Sequence, residues 1–261
     1  MRYKYIDEKG EHLHTLDGKP LIGTSTATKV ISKNLTWWSA ELSAVECLEA
    51  GEKIPNIREE YIAAKALGKV GIDELQKKYP LFRKARFAHM KDRDKKADAG
   101  TDMHAELESY VKDCIVANKV LAHKTTGDEP KFLYDFVEWA QANIKKFLWS
   151  EGHCYSEKLW TGGIGDAGME MKDGKVLVGD FKSSKEAFPD QFIQCAGYGI
   201  EMKESGVLTK DGEKMLDVPK IDGYVVFPFG APTFEPTFRY NVEEQENAFR
   251  AAVTLHKIIN N

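Results

Sequence analysis

The sequence contains no apolar run near the roughly 20 residues that a bilayer-spanning helix needs, so no such helix is predicted. Cysteine is scarce: Cys47, Cys114, Cys154 and Cys195 lie far apart and form no C-x-x-C pair. That spacing argues against a disulfide framework or a compact metal knot and predicts free buried thiols. The first residues, "MRYKYIDEKGEHLH", lack the apolar core of a secretory signal, and their acids argue against an organelle transit peptide. A cytoplasmic location is the expectation. No linker rich in Pro, Gly and Ser interrupts the chain and no segment repeats, so residues 1–261 are read as one domain.

What is present suits a globular protein: 30% charged and 42% hydrophobic residues in a chain long enough to bury a core. The net charge of −4 conceals a local contrast. Residues 77–96, "KKYPLFRKARFAHMKDRDKK", hold nine Lys or Arg against two Asp, a local +7 that leaves −11 on the remainder. With Tyr79, Phe82 and Phe87 interleaved, the stretch is either an electrostatic footprint for phosphates, with Lys84, Arg86 and Arg93 as contacts, or a solvated helix surface.

Residues 1–22 carry two turn signals, "DEKGEH" and "LDGKP", and predict a small β-hairpin. "GTSTATKVI" then offers a Ser/Thr start to a helix reaching about residue 47, with Trp37 as a candidate for stacking on a base. Helical spacing continues over 59–122, where Met103, Leu107, Tyr110, Val111, Cys114 and Ile115 form one stripe beside His104 and Glu108. A further helix is predicted over 131–149. From Gly152 the period shortens to that of strands: "CYSEKLW", "GIGDAGMEM" and "KVLVGDFKS", the last two joined by the turn "KDGK". A helix over "FPDQFIQCAGYGIEMKESG", two more strands and a closing helix over 242–260 complete the reading. The fold class is therefore α/β: a central mixed sheet flanked by helices over 151–261, preceded by a mostly helical part over 1–150.

Asp166 and Asp180 each lie about seven residues from the centre of the "KDGK" turn, so an antiparallel pair would bring them opposite one another. Two neighbouring carboxylates repel unless a cation sits between them. Oxygen donors without a Cys/His cage favour Mg²⁺ or Mn²⁺. Lys182, two residues beyond Asp180, shares its face and can steady charge on a phosphoryl oxygen. Alone, an Asp-x-Lys on a strand is a weak signal that reads more readily as an ion pair.

"GTDMHAELE", "GGIGD", "GDFK" and "QCAGY", in that order, resemble the PD-(D/E)xK nuclease superfamily, and within it the RecB-like branch that includes Cas4 and many phage exonucleases. The resemblance covers residues 100–200. It implies a restriction-endonuclease-like core and a Mg²⁺- or Mn²⁺-dependent DNA exonuclease of phage or bacterial recombination, repair or processing. An endonuclease on the same fold, or a nucleic-acid-binding module without catalysis, are the alternatives. It further implies His104, Asp166, Asp180 and the Phe181 carbonyl as metal ligands, and Lys182 as the group that positions the attacking water. Gln194 and Tyr198 would orient the site and touch the nucleic-acid backbone. Beside them, Glu108 and Glu157 are candidates for a supporting role, and Ser183 is either a turn or cap residue or a phosphate contact. The implied partner is DNA with free ends, with a second copy of the chain or a phage recombination protein alongside. The chain lacks the compact C-terminal cysteine trio of cluster-bearing relatives, so no iron–sulfur cluster is expected.

Overall fold

The computed structural model describes residues 2–8, 11–31, 43, 57–123 and 130–260. By compactness the chain divides into two units, one formed by Met1–Ser32 with Gly100–Asn261, the other by Lys33–Ala99. Trp37 and most of the helix expected over 24–47 lie outside the described residues; what is described there is a helix at Thr24–Thr28 (α1) running into a 3₁₀ turn at Lys29–Ile31.

In the second unit, Ile57–Ala66 (α2) and Gly68–Lys78 (α3) form a helical pair. They meet closely: a Cβ on Gly71 would stand 2.2 Å from the Ala64 carbonyl oxygen. Glu60 accepts from the Lys78 ammonium and the Tyr79 hydroxyl, each at 2.7 Å. Lys77 pairs with Glu74 at 2.7 Å and Lys84 is exposed, whereas the side chains of Arg86 and Arg93 lie outside those described.

The first unit opens with the expected hairpin, Tyr3–Glu8 (β1) against Glu11–Leu16 (β2), with Lys19–Pro20 (β3) added at its edge. Asp17 and Gly18 make the tight turn, both with positive φ (48° and 74°). The main sheet has eight strands. Seven lie in the order Thr237–Arg239 (β11), Gly223–Pro228 (β10), Val176–Lys182 (β7), Thr161–Met171 (β6), Ile144–Ser156 (β5), Val207–Leu208 (β8) and Lys214–Leu216 (β9); Ile22–Gly23 (β4) pairs with β6. β7–β10 and β4–β6 are parallel and the other pairings antiparallel, so the sheet is mixed, as the sequence implied.

Helices cover both faces. Along β7, side chains alternate: Leu177 and Phe181 enter one core with Met103, Leu107 and Val111 of the helix Pro80–Ala117 (α4) and Phe136 of Lys131–Asn143 (α5). Val178 enters the other core with Phe192, Cys195 and Tyr198 of Pro189–Ser205 (α6). Phe136 is fully buried with edge-on contacts to Phe181 and Phe227, at ring separations of 5.4 and 5.3 Å. Such a ring contributes about 1.5–3 kcal/mol by burial alone. The closing helix, Val242–Asn260 (α7), packs Phe249 and Val253 against Ala27 and Ile200. Cys114, Cys154 and Cys195 are buried free thiols. Among the described residues no helix is long and apolar enough to cross a membrane.

One boundary departs from expectation. The helix predicted over 131–149 stops at Asn143, whose carboxamide donates to the Trp139 carbonyl at 2.8 Å, and β5 begins at Ile144. Pairing with β6 over the length of β5, and with β8 at its far end, outweighs the helical spacing of "IKKFLW". Of the strand read over 154–160, residues 154–156 are thus the tail of a longer one and residues 157–160 form the turn into β6.

Candidate metal centre

Three acids stand on three adjacent strands of the sheet. Ser150 and Gly152 pair with Ala167 and Gly165, which places Glu151 of β5 opposite Asp166 of β6. Ala167 pairs with Gly179, and the next step of that register sets Asp166 beside Asp180 of β7. The "KDGK" turn fixes this alignment: Met171 and Lys175 close it, Gly174 adopts φ 88°, and Asp173 accepts from the Lys175 N–H at 3.0 Å. α4 supplies His104, whose ring stands edge-on to Phe181 at 6.1 Å.

His104, Glu151 and Asp166 each direct one ligand atom to a common point, all within 4.8 Å of one another. His104 Nδ1 lies 3.8 Å from Asp166 Oδ2, and the same oxygen accepts the Phe181 N–H at 2.6 Å. Glu151 has φ 48°, a left-handed conformation that non-glycine residues adopt at a cost of about 1–3 kcal/mol. Burial first, then the charges of Asp166 and Glu108, push its carboxyl up to about 8.

Asp180, on the neighbouring strand β7, is not among the three whose ligand atoms come together. It is 1% exposed, and Lys182 Nζ approaches its Oδ2 to 2.5 Å as an ion pair. Burial raises the Asp180 carboxyl to about 6, Lys182 holds it down, and Asp166 pushes it up again. Burial opposes the Lys182 charge, but Asp180 and Asp166 outweigh it, so the lysine pKa is raised and the ammonium persists. On α6, Gln194 donates to the Tyr198 hydroxyl. Burial, followed by Asp180 and Asp166, raises that phenol well above its ordinary value, so it stays protonated.

The structure therefore gathers His104, Asp166, Asp180, Lys182 and Tyr198 into one neighbourhood and brings Glu151 into it as a further candidate ligand. Phe181, expected to offer its carbonyl, holds Asp166 through its N–H. Glu108, one turn from His104, pairs with Lys112. Ser183 is exposed just past the end of β7. Glu157 is a correction: it lies beyond β5, half exposed, bonded to Arg2 at 3.0 Å, because the strand ends at Ser156 and the acid it brings to the cluster is Glu151. The overlong helix prediction hid Glu151. Its signal was an acid followed by glycine inside the apolar run "FLWSEGHCY".

One imidazole and two carboxylates, with the Asp180 carboxylate on the next strand, make an oxygen-rich donor set that fits Mg²⁺ or Mn²⁺. No protein-family model matches the sequence, and no curated protein matches it. The fold and the His–Glu–Asp cluster together are of a generic nuclease-like kind: a mixed sheet between helices, with a group able to hold a divalent cation.

Proposed function

We propose that the chain is a Mg²⁺- or Mn²⁺-dependent deoxyribonuclease of the PD-(D/E)xK type, RecB-like in its motifs, that degrades DNA from free ends in phage or bacterial recombination, repair or processing. One observation carries this reading: an ammonium, Lys182, stands against a buried carboxylate beside a His–Glu–Asp cluster. An ordinary ion pair has no use for two further acids at its side, whereas phosphodiester hydrolysis uses all of these groups.

His104, Glu151 and Asp166 would hold the cation, with Asp180 adding negative charge from the next strand. A divalent cation there supplies Lewis acidity at a phosphoryl oxygen and makes nearby water easier to deprotonate. The protein's own parts act around it. The Phe181 N–H fixes the Asp166 carboxylate, so one ligand is oriented before substrate arrives. Lys182, kept charged by Asp180 and Asp166, orients a water and opposes charge gathering on the phosphoryl group. Tyr198, protonated and braced by Gln194, offers a hydroxyl on the α6 side, and Ser183 lies at the rim for a backbone contact.

The test uses end-labelled linear and covalently closed circular DNA with EDTA, Mg²⁺ or Mn²⁺. Digestion of linear DNA alone, only with metal, and lost in Asp166→Ala, supports the proposal. Equal attack on circular DNA makes the enzyme an endonuclease. Binding without cleavage under any metal makes the chain a nucleic-acid-binding module.

A further inference from the structure

Outside the cluster, the β1–β2 hairpin brings an unusual set of rings toward the strand that carries Glu151. Tyr5 and His14 are directly paired across the hairpin, with ring centroids 5.0 Å apart. His153, two residues after Glu151 on β5, lies 5.0 Å from the Tyr5 ring, and the Tyr5 N–H is tied to the Lys210 carbonyl at 3.0 Å. The hairpin is thus anchored on the strand that carries Glu151. Consistent with that closeness, the Tyr5 phenol is raised by burial first, then by Asp7 and Glu151.

The outermost pair is Tyr5 with His12. Their planes are within 5° of parallel and their centroids 6.2 Å apart, while the Tyr5 hydroxyl bonds His12 Nδ1 at 2.7 Å. That bond limits the offset between the planes to less than the roughly 3.5 Å of a face-to-face stack. The rings therefore lie edge to edge, joined by the hydrogen bond into one flat shelf. The His12 side chain is 65% exposed. Asp7 stands 3.4 Å from His12, which makes the shelf unattractive to a phosphate but leaves it open to an uncharged ring.

We infer that the Tyr5–His12 shelf stacks an unpaired base of the strand whose phosphate lies in the metal centre, so the substrate is presented single-stranded at its end. A flat π surface accepts any base, which suits digestion without sequence preference. This inference rests on the nuclease reading above and names its substrate.

The experiment measures binding apart from cleavage. Single-stranded oligonucleotides carrying 2-aminopurine near one end are titrated with protein in Ca²⁺, and the same variants are then assayed for digestion in Mn²⁺. Wild type should quench the 2-aminopurine. Tyr5→Ala should bind roughly tenfold more weakly or worse and lose the quench, whereas Tyr5→Phe should keep the quench. His12→Ala, at an exposed position, should weaken binding while leaving the circular dichroism spectrum intact, which guards against misfolding of the tyrosine variant. In digestion the loss should fall on KM for single-stranded ends, with kcat nearly unchanged. If wild type cleaves DNA but Tyr5→Ala and His12→Ala match it in quench and KM, the shelf is wrong and the nuclease stands. If wild type neither binds nor cleaves any nucleic acid, both readings fall together.

Discussion

Replacing Glu151 with glutamine should make the metal-free protein more stable while removing its response to divalent ions. The carboxyl titrates at about 8 in the folded chain against an ordinary 4.5, because it is buried beside Asp166, Glu108 and Asp180. Between those values the folded state holds a proton that the unfolded state has released, so stability falls as pH rises through the window. At about 1.4 kcal/mol per pH unit, the span from 4.5 to about 8 sets a ceiling of about 5 kcal/mol. The carboxyl is partly open to water and shares its repulsion with Asp166 and Asp180, so about 3 kcal/mol is the expected portion. Glutamine resembles the protonated acid and cannot ionise. In EDTA, Glu151→Gln should match wild type near pH 5 and exceed it at pH 9 by about 3 kcal/mol, which is about 6–10 °C in Tm for a chain of this size. Added Mn²⁺ should raise the wild-type Tm at pH 9 and leave the variant nearly unmoved. The assay is thermal denaturation at both pH values, with EDTA or Mn²⁺. A variant with the same pH slope as wild type, or the same gain from Mn²⁺, would refute the placement of Glu151 in a metal centre.

Three further outcomes follow from named contacts. Lys182→Met strips the cation from a carboxylate that is 1% exposed; it should abolish DNA cleavage and cost about 3 kcal/mol in urea denaturation at pH 8. That cost should shrink at pH 5, because the Asp180 carboxyl, already raised to about 6 and raised further without the lysine, then takes up a proton. Glu157→Gln should leave Tm, metal response and cleavage as they are, since it removes only an exposed contact to Arg2. Gly168→Ala should destabilise by about 1–3 kcal/mol in the same urea assay, because the added Cβ would stand 2.2 Å from ring carbons of the fully buried Trp149.

Much of the sheet was legible because its central hairpin is local. "KDGK" is a short turn between two apolar runs, and counting outward from it sets the register that brings Asp166 beside Asp180. The α4 stripe was equally readable, with Met103, Leu107, Val111 and Cys114 all buried in the core. The start of β5 was not. Between Phe132 and Glu151 no glycine or proline interrupts the chain, and Ile144 to Trp149 keep a spacing that a helix tolerates. Only partners distant in sequence, β6 and β8, decide for a strand. β8 and β9, of two and three residues, are too short for any alternation to show.

The presence of Glu151 in the cluster has a physical cause that motif spacing does not carry. Three adjacent strands set three carboxylates in a row, and each needs positive charge or a proton. β7 provides for its own: Lys182 lies two residues on, on the same face as Asp180, and its partly buried ammonium pairs with that buried carboxylate. Glu151 and Asp166 have no such partner on their own strands. The Lys112 charge only partly offsets the repulsion on Glu151, whose carboxyl is pushed up to about 8. Unmet demand for positive charge therefore falls between β5 and β6, where His104 of α4 arrives. The charges of Asp180 and Asp166 in turn keep Lys182 an ammonium at the side of the cluster.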